Sequence, residues 1–357
     1  MKNNKIEFLY GYTASDKTIE SLQNSQLASI RLRISVAAEA AQILNYQVSL
    51  SDGQSNKYTD LIVVGKVDNI NDDKRPDRWH QRIIKTKVSG GKIIIDYTDH
   101  HIERNTTIGD FYRKSINYAD AVVCSSEQLK NSIVNYFKGP ILVIEEPIDV
   151  SIIPPKEKNN AIKNMLWFGH ASNLPYLFDC LLNTFNSDIH ARLIIMTNAY
   201  PFPKEYSNLL SADVLENIEI NVVPWSTNDL IQAANISDFC ILPTGYKDSK
   251  KAGASSNRLI TALSLGMPVL SDHLISYQKF TDYFDTLNSD NLFKFTIKPY
   301  YDFQKIKKFQ EIVVPDYTRK NLLQHWSLFL NDILFTNISM PNTNDLMKLN
   351  LGLAPKS

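Results

Sequence analysis

Short apolar runs alternate with amphipathic segments along almost the whole chain. In the first half, runs such as IEFLYGY, DLIVVGKV and KIIIDYTD are separated by segments with apolar residues at helical spacing. The second half repeats the alternation with NMLWFGH, ARLIIMTN, IEINVVPW, DFCILPT and MPVLSD, the last of which closes its sheet. Such continuous apolar runs are typical of parallel strands buried on both faces, with helices as crossovers. The pattern predicts an α/β fold with doubly wound, Rossmann-like parallel sheets.

The length of 357 residues predicts two such domains. A segment with two prolines, several charges and no periodicity, SIIPPKEKNNAIKN, separates the two alternating regions and is typical of an interdomain linker. We therefore predict Rossmann-like domains over 1–155 and 156–316, with a boundary near Pro155. Helices over 317–357 are expected to pack back toward the first domain. Two domains imply a cleft between them.

Charge and composition exclude several classes of protein. The chain carries 38 basic and 38 acidic side chains, so its overall field does not favour a nucleic-acid backbone. The apolar stretch in MKNNKIEFLYGY is too short for a secretory signal or a membrane span, which predicts a cytoplasmic protein. The isolated Cys124, Cys180 and Cys240 suit neither a disulfide framework nor a zinc site. The basic stretch from Lys74 to Lys87 is either a solvated helix face or a surface for an anionic membrane or acceptor.

The segment SSNRLITALSLGMPVL places polar residues at the start of a helix. In doubly wound sheets, ligands bind beyond the carboxyl ends of the strands, and this helix follows such a strand after a lysine-rich loop. A helix N-terminus has unpaired N–H donors and a partial positive charge, and an arginine binds phosphate oxygens through two N–H groups. Ser255, Ser256, Asn257 and Arg258 are therefore a predicted diphosphate site. The alternative is that a serine only caps the helix and Arg258 pairs with a surface carboxylate.

With the preceding VVPWSTNDLIQAANISDFCILPTGY, this segment resembles the nucleotide-binding half of bacterial GT-B glycosyltransferases of the large family-4-like group. The matching positions are Asp238, Pro243, Asn257, Arg258, Ala262, Gly266, Pro268 and Val269. The run DAVVCSSEQLKNSIVNYF, followed by ILVIEEPIDV, resembles the end of that family's first domain. The resemblance implies the GT-B architecture, in which two Rossmann-like domains face a cleft and the second binds a nucleoside diphosphate sugar.

Two parts of the family pattern are missing here. Ala254 stands where the family has a lysine, so Lys251 or Lys250 would have to act from a longer loop. Gly253 and Thr261 stand where retaining members carry a pair of glutamates. The resemblance therefore leaves the contact to the ribose and the stereochemical outcome open.

The loop after the strand NMLWFGH is a second predicted donor contact. It contains Gly169, His170, Ser172 and Asn173 and precedes a helix. The resemblance implies that the glycine and a basic side chain at this place contact the donor phosphates, with His170 in place of an arginine. An imidazole donates a hydrogen bond to phosphate in its neutral or protonated form. The alternative is a loop histidine in solvent.

Three residues are expected on the nucleobase side of the donor by resemblance. Pro224 and Trp225 follow the strand IEINVV, and Pro243 follows the strand DFCIL. The alternative for Trp225 is a packing role, which is the commoner one for a lone tryptophan.

In the first half, KIIIDYTDHHIER puts Asp96, Asp99, His100 and His101 at the end of a strand facing the expected cleft. A general base must reach the acceptor hydroxyl, so Asp99 and His100 are the predicted catalytic residues. The alternatives are loop residues with a purely structural role and a metal site. The spacing matches no standard zinc motif, and the resemblance implies an enzyme without a bound metal.

The segment LASIRLRISVAAEAAQIL resembles the first loop and helix of the same family. The resemblance implies that Ser29 and Arg31 lie in a loop that approaches phosphate or acceptor. Arg33 is equally compatible with a surface ion pair.

The predicted function is transfer of a hexosyl group from a nucleoside diphosphate sugar to a glycan or lipid-linked acceptor, by resemblance in bacterial surface polysaccharide synthesis. Neither a bound cofactor nor nucleic acid is expected, and the resemblance implies peripheral contact with the inner face of a membrane. The alternatives are a GT-B-fold nucleotide-sugar epimerase and a catalytically degenerate GT-B protein that binds a partner. A nicotinamide dehydrogenase is disfavoured because no GxGxxG follows the first strand of either half.

Overall fold

The computed structural model describes residues 4–11, 18–68, 72–158, 160–185, 189–198, 202–204, 206, 215–245, 253–297 and 301–335. The chain divides into two compact units, unit 1 (Met1–Glu145 with Leu322–Ser357) and unit 2 (Glu146–Asn321). The division lies earlier than the predicted position near Pro155. The reason is that the backbone before the prolines already pairs within unit 2, where Ile148 N donates to Tyr317 O and Ile153 N to Ser264 O, both at 2.9 Å.

Unit 1 contains a six-stranded parallel sheet. Its strands are β1 (Lys5–Leu9), β2 (Gln47–Ser51), β3 (Leu61–Val64), β4 (Lys92–Tyr97), β5 (Ala121–Cys124) and β6 (Ile141–Val143). They lie in the order β2-β1-β3-β4-β5-β6. Every residue of β3 and β5 is buried, because helices cover both faces of the sheet. This is why these strands read as continuous apolar runs rather than alternating ones.

The helices of unit 1 begin mostly at polar caps. They are α1 (Ile19–Gln23), a π-helix (Ile30–Ile34) that continues into α2 (Ser35–Ile43), α3 (Arg75–Val88), α4 (Thr107–Ser115), α5 (Glu127–Ile133) and the C-terminal helix (Arg319–Phe335). The side chains of Thr18, Thr106 and Ser126 accept a backbone N–H in the first turn of α1, α4 and α5. Such caps satisfy donors that have no partner within the helix.

The C-terminal helix contributes to the core of unit 1. From Leu322 onward it buries Leu322, Trp326, Phe329, Leu330 and Ile333 in the same cluster as β1 and α2. Two polar contacts fasten it further, because Lys92 Nζ donates to Ile333 O at 2.5 Å and Tyr46 Oη lies 2.5 Å from Asn331 Oδ1.

A buried ion pair joins the π-helix to the end of β4. Arg33 donates to both carboxylate oxygens of Asp96, with Nε 3.1 Å from Oδ2, and its third nitrogen donates to the carbonyl of Ile144. The Trp326 ring lies 5.8 Å from the guanidinium carbon. Asp96 is 1% exposed. The expectation that it faces a cleft is therefore wrong, and Arg33 does not form a surface pair, because both side chains point into the core cluster beneath the sheet.

The basic stretch of α3 is largely neutralised within unit 1. Ion pairs join Arg75 to Asp68, Arg78 to Asp52 and Asp72, Arg82 to Glu7, and Lys87 to Asp120. Arg75 and Arg82 are buried. The arginines of α3 thus bind acids of the same unit, whereas Lys74 and Lys85 are exposed. The stretch is therefore only partly a solvated face, and its contact with an anionic membrane or acceptor stays a prediction.

Unit 2 also contains a six-stranded parallel sheet. Its strands are β7 (Lys163–Gly169), β8 (Ala191–Thr197), β9 (Ile218–Pro224), β10 (Phe239–Leu242), β11 (Val269–Ser271) and β12 (Asp285–Thr286). They lie in the order β12-β11-β10-β7-β8-β9. The prediction that the sheet ends with MPVLSD is wrong by one strand, because a two-residue strand has no periodicity that a sequence pattern reveals.

The described helices of unit 2 are α6 (Leu174–Thr184), α7 (Thr227–Ile236), α8 (Asn257–Ser264), α9 (Ser289–Ile297) and α10 (Phe303–Ile312). Ser226 caps α7 by accepting from Asp229 N. Gly266 ends α8 with φ 74°, a conformation that glycine adopts at little cost. No helix in these described parts is long and apolar enough to cross a bilayer.

Candidate functional site

The strand order of unit 2 reverses at β7. The chain runs from β7 outward to β8 and β9 and then returns to β10 on the other side of β7. In open parallel sheets, ligands bind beyond the carboxyl ends of the strands at such a reversal. Gly169 ends β7, Leu242 ends β10, and α8 begins at Asn257 after the loop that follows β10. The predicted diphosphate helix and the predicted glycine loop therefore meet at this reversal.

Arg258, in the first turn of α8, lies directly against Gly169. A Cβ added to Gly169 would be 3.3 Å from Arg258 Nη1 and 3.2 Å from the Trp167 ring. The lack of a side chain at position 169 therefore leaves room for the guanidinium. Nη1 is buried and has no hydrogen-bond partner in the described residues. No carboxylate of the described residues forms an ion pair with Arg258. A buried, unpaired cationic N–H is costly unless an anion binds there.

Tyr277 lies beside this guanidinium, and the sequence analysis missed it. It is fully buried in the 3₁₀ helix Ile275–Tyr283, and its hydroxyl has no well-aligned hydrogen bond within the described part of the chain. Burial raises the pKa of Tyr277, whereas the adjacent Arg258 lowers it. The phenol is therefore neutral and lies next to the guanidinium without occupying it as a negatively charged partner would. No sequence motif marks this tyrosine, because its role depends on the packing of β11 against β10.

At the start of α8, the first-turn N–H groups have no side-chain cap, whereas the side chains of Ser255 and Asn257 are engaged in hydrogen bonds. Its N-cap, Ser256, makes no side-chain cap hydrogen bond, so the first-turn N–H groups lack that partner. Ser255 Oγ instead donates to Glu146 Oε2 at 2.7 Å, and Asn257 Nδ2 donates to Pro147 O at 3.3 Å. Ser255 and Asn257 thus hold the segment that begins unit 2.

The loop after β7 is tightly held. His170 Nδ1 accepts from Ser172 N at 3.2 Å, which places the proton of the neutral ring on Nε2. The amide of Ala171 donates to Asn198 Oδ1, which follows β8. His170 is exposed, whereas Asn173 is buried at the start of α6. Of the two, His170 is the side chain that a ligand reaches.

The residues predicted on the nucleobase side are spread along the sheet. Pro243 is buried just after β10. Pro224 ends β9, and Trp225 N donates to Thr197 O at 3.0 Å. Trp225 packs against the core cluster of α7 and α8, two strands away from β7. Lys251, with Lys250, lies outside the described residues.

In unit 1, the predicted catalytic residues follow β4 and are engaged with neighbours. Lys66 Nζ lies 2.6 Å from Asp99 Oδ2, and both side chains are about 40% exposed, at 40% and 42%. His100 Nε2 lies 3.0 Å from Glu103 Oε2, and its Nδ1 is buried. Asp96 is instead buried and paired with Arg33, so the four polar residues that follow from this strand do not form one cluster. No group of three metal-ligating side chains occurs in the described residues.

The two residues predicted in the first-domain loop lie in and before the π-helix. Ser29 precedes it and makes no side-chain cap hydrogen bond. Arg31 is buried, and its Nη1 donates to Ser25 O at 2.6 Å. The contact of Arg31 with phosphate or acceptor stays a prediction.

His101 gives a pH-dependent prediction. Its ring stacks on Tyr112, with centroids 6.0 Å apart, and burial lowers the pKa of His101 to about 4. An unfolded histidine has a pKa of about 6.5, so the unfolded chain binds the proton first as the pH falls. Stability should therefore drop between about pH 6.5 and pH 4, by on the order of 2 kcal/mol from this residue.

Denaturant unfolding of wild type and His101→Gln at pH 7 and pH 4.5 measures this contribution. The carboxylates titrate alike in both proteins, so the difference between their pH profiles isolates the imidazole. Parallel profiles would contradict the assignment.

The comparisons with known proteins identify the fold. No family model matches the chain, and no curated protein sequence matches it. Among solved structures, it is similar to a glycosyltransferase from Rickettsia africae at 13% identity, over 95% of this chain and 100% of that one, with a TM-score of 0.62. Anabaena HepE in complex with UDP follows at 11% identity, 92% and 100% coverage, and a TM-score of 0.59. The lipopolysaccharide outer core galactosyltransferase WaaB matches at 13% identity, 94% and 100% coverage, and a TM-score of 0.53.

These likenesses extend over both units, each of which is a six-stranded parallel sheet covered by helices. They confirm the predicted α/β fold class and the architecture that the sequence motifs indicate. The chain has the GT-B glycosyltransferase fold.

Proposed function

We propose that this protein transfers a hexosyl group from a nucleoside diphosphate sugar to a hydroxyl of a glycan or lipid-linked acceptor. The observation that carries the proposal is the buried Arg258 Nη1, which lacks a hydrogen-bond partner in the described residues and lies against Gly169 at the strand reversal of unit 2. Structural neighbours that bind UDP, such as HepE, support a nucleotide donor.

The leaving diphosphate carries the negative charge that develops during transfer. The N–H groups of the first turn of α8, which have no side-chain cap, and the guanidinium of Arg258 in the same turn are the proposed donors, because preorganised donors stabilise developing charge. His170 Nε2 adds a donor from the loop after β7. Together these groups supply the electrostatic stabilisation that a metal ion gives in other transferases, so the proposed reaction needs no bound metal.

On the acceptor side, Asp99 is the proposed general base. Its carboxylate is accessible, whereas the Nδ1 of His100 is buried and its Nε2 faces Glu103. Asp99→Asn should slow sugar transfer while nucleotide binding stays at the wild-type level. Transfer by Asp99→Asn at the wild-type rate would remove Asp99 from this role.

Calorimetric titration with UDP, GDP, ADP and CMP, each with and without Mg²⁺, tests the donor part of the proposal. Saturable binding of one nucleotide in the absence of Mg²⁺ is expected, and the matching sugar nucleotides then enter a transfer assay with polyprenyl-phosphate glycans. Release of an altered free sugar nucleotide without an acceptor would indicate an epimerase. Failure to bind any of these nucleotides would contradict the proposal and leave a non-catalytic binding protein.

A further inference from the structure

A carboxylate lies at the start of the helix that the proposed function assigns to diphosphate. Glu146 Oε2 accepts a hydrogen bond from Ser255 Oγ at 2.7 Å, and the carbonyl of the next residue, Pro147, accepts one from Asn257 Nδ2 at 3.3 Å. Both partners stand at the first turn of α8. Two hydrogen bonds therefore hold the segment 146–147 against the start of α8, one to a side-chain acceptor and one to a backbone acceptor.

This acid comes from a distant part of the sequence. The first turn of α8 contains no acidic residue, and Gly253 and Ala254, just before it, have no carboxylate. Glu146 precedes Ser255 by 109 positions and still reaches it, with 2.7 Å between Glu146 Oε2 and Ser255 Oγ. In the described part of the chain, Glu146 hydrogen-bonds to the loop directly before α8. At the other end of the loop, just after β10, Asp272 Oδ2 accepts from Thr244 N at 2.7 Å.

A carboxylate at this place repels a phosphate, because two negative charges at short distance raise the free energy of both. It is suited to hydroxyl groups, which donate to carboxylate oxygens in charge-assisted hydrogen bonds. The same site holds two buried polar groups without well-aligned partners among the described residues, Arg258 Nη1 and the Tyr277 hydroxyl. Arg258, a cationic donor suited to an anion, thus lies in the first turn of α8, and Glu146, an acceptor suited to hydroxyls, contacts the residue just before that turn.

We propose that Glu146 is a specificity-determining residue that recognises the donor by accepting hydrogen bonds from its hydroxyl groups. This inference rests on the proposed function, because a nucleoside diphosphate sugar is the ligand that presents both a diphosphate and neighbouring hydroxyls. The hydroxyls belong either to the ribose or to the transferred sugar, and the two sources give different results in binding.

The test is a comparison of ligand preferences in wild type, Glu146→Gln and Glu145→Gln. Glutamine keeps an oxygen for Ser255 and removes the charge, so Glu146→Gln is expected to fold, as its melting temperature will show. Glu145→Gln removes the same charge one position earlier and is the matched control. The probes are UDP, GDP and ADP, their 2′-deoxy and 3′-deoxy forms, and UDP-glucose, GDP-mannose and ADP-glucose, all titrated calorimetrically.

If Glu146 binds the ribose, Glu146→Gln should lower the preference for the ribonucleotide over its deoxy forms about tenfold, since a hydrogen bond to a charged group is at stake. If it binds the transferred sugar, the preference for the sugar nucleotide over the bare diphosphate should fall by a similar factor. Either result supports the inference, provided that Glu145→Gln keeps the wild-type ratios.

An equal loss for every ligand would mean that Glu146 only holds the start of α8, and unchanged ratios would likewise overturn its assignment. Absence of nucleotide binding by wild type is a different outcome, because it overturns the proposed function itself and this inference with it.

Discussion

Arg258→Ala is expected to weaken nucleoside diphosphate binding by about 100-fold, because truncating one member of a buried, charge-assisted contact costs roughly 2–5 kcal/mol. The guanidinium lies against Gly169 with Nη1 buried, so its position is set before a ligand arrives. Calorimetric titration of wild type and Arg258→Ala with the nucleotide that wild type binds gives the ratio of dissociation constants directly. Sugar transfer should fall with binding, because the same donors stabilise the leaving diphosphate.

Two further variants make this result specific. Arg192 and Glu219 form an exposed ion pair in unit 2, with 50% and 70% of their side chains exposed, and such pairs contribute little. Arg192→Ala removes the same charge and should bind nucleotide like wild type. Arg258→Lys keeps the charge but loses the planar pair of donors and should fall between wild type and alanine. Wild-type affinity in a folded Arg258→Ala would remove the diphosphate site from α8.

Asp96→Ala is expected to destabilise unit 1 by about 3–5 kcal/mol, because it leaves the buried Arg33 guanidinium without its counter-ion. Arg33 donates to both carboxylate oxygens of Asp96, and both side chains are 1% exposed. Water cannot replace the lost acceptor at this depth. Urea unfolding followed by circular dichroism gives the loss in free energy, and a drop in the melting temperature of several degrees should accompany it.

The exposed pair of Arg113 and Asp110 provides the control for this experiment. Asp110 is 55% exposed, so Asp110→Ala should change the free energy of unfolding by less than about 1 kcal/mol. Replacing both members of the buried pair, as Arg33→Met with Asp96→Ala, should recover part of the stability, since no charge is then left unpaired. An Asp96→Ala protein as stable as wild type would show that the guanidinium finds another acceptor.

The arrangement of Asp96 and Asp99 shows where sequence reasoning reached its limit in unit 1. Both acids follow the same apolar run, and the pattern places both at the end of a strand. The side chain of Asp96 belongs to β4 and enters the core, whereas Asp99, three residues later, has left the strand and pairs with the exposed Lys66. The difference depends on where β4 ends, which is at Tyr97, between the two acids. That end is set by pairing with β5, where Cys124 lies opposite Tyr97, rather than by local composition.

Most of the strands followed from local patterns, with the two-residue β12 as an exception. Apolar runs marked the buried strands, because burial on both faces demands apolar residues at the positions themselves. Ser226 at the start of α7 and Gly266 at the end of α8 are likewise residue types that capping and a left-handed φ favour. The predicted phosphate helix and the glycine loop were found for the same reason. Their signals are contained within a few neighbouring residues.

The contacts at the proposed donor site arise between segments far apart in the chain. Arg258 meets Gly169 because β10 returns to lie beside β7, Tyr277 reaches the guanidinium through the neighbouring β11, and Glu146 reaches Ser255 from the segment after β6. No local pattern encodes these distances, since the pairing of strands depends on the burial of the whole sheet. Composition and periodicity therefore specified most of the elements, whereas the folded sheet decided which distant side chains come together at the proposed site.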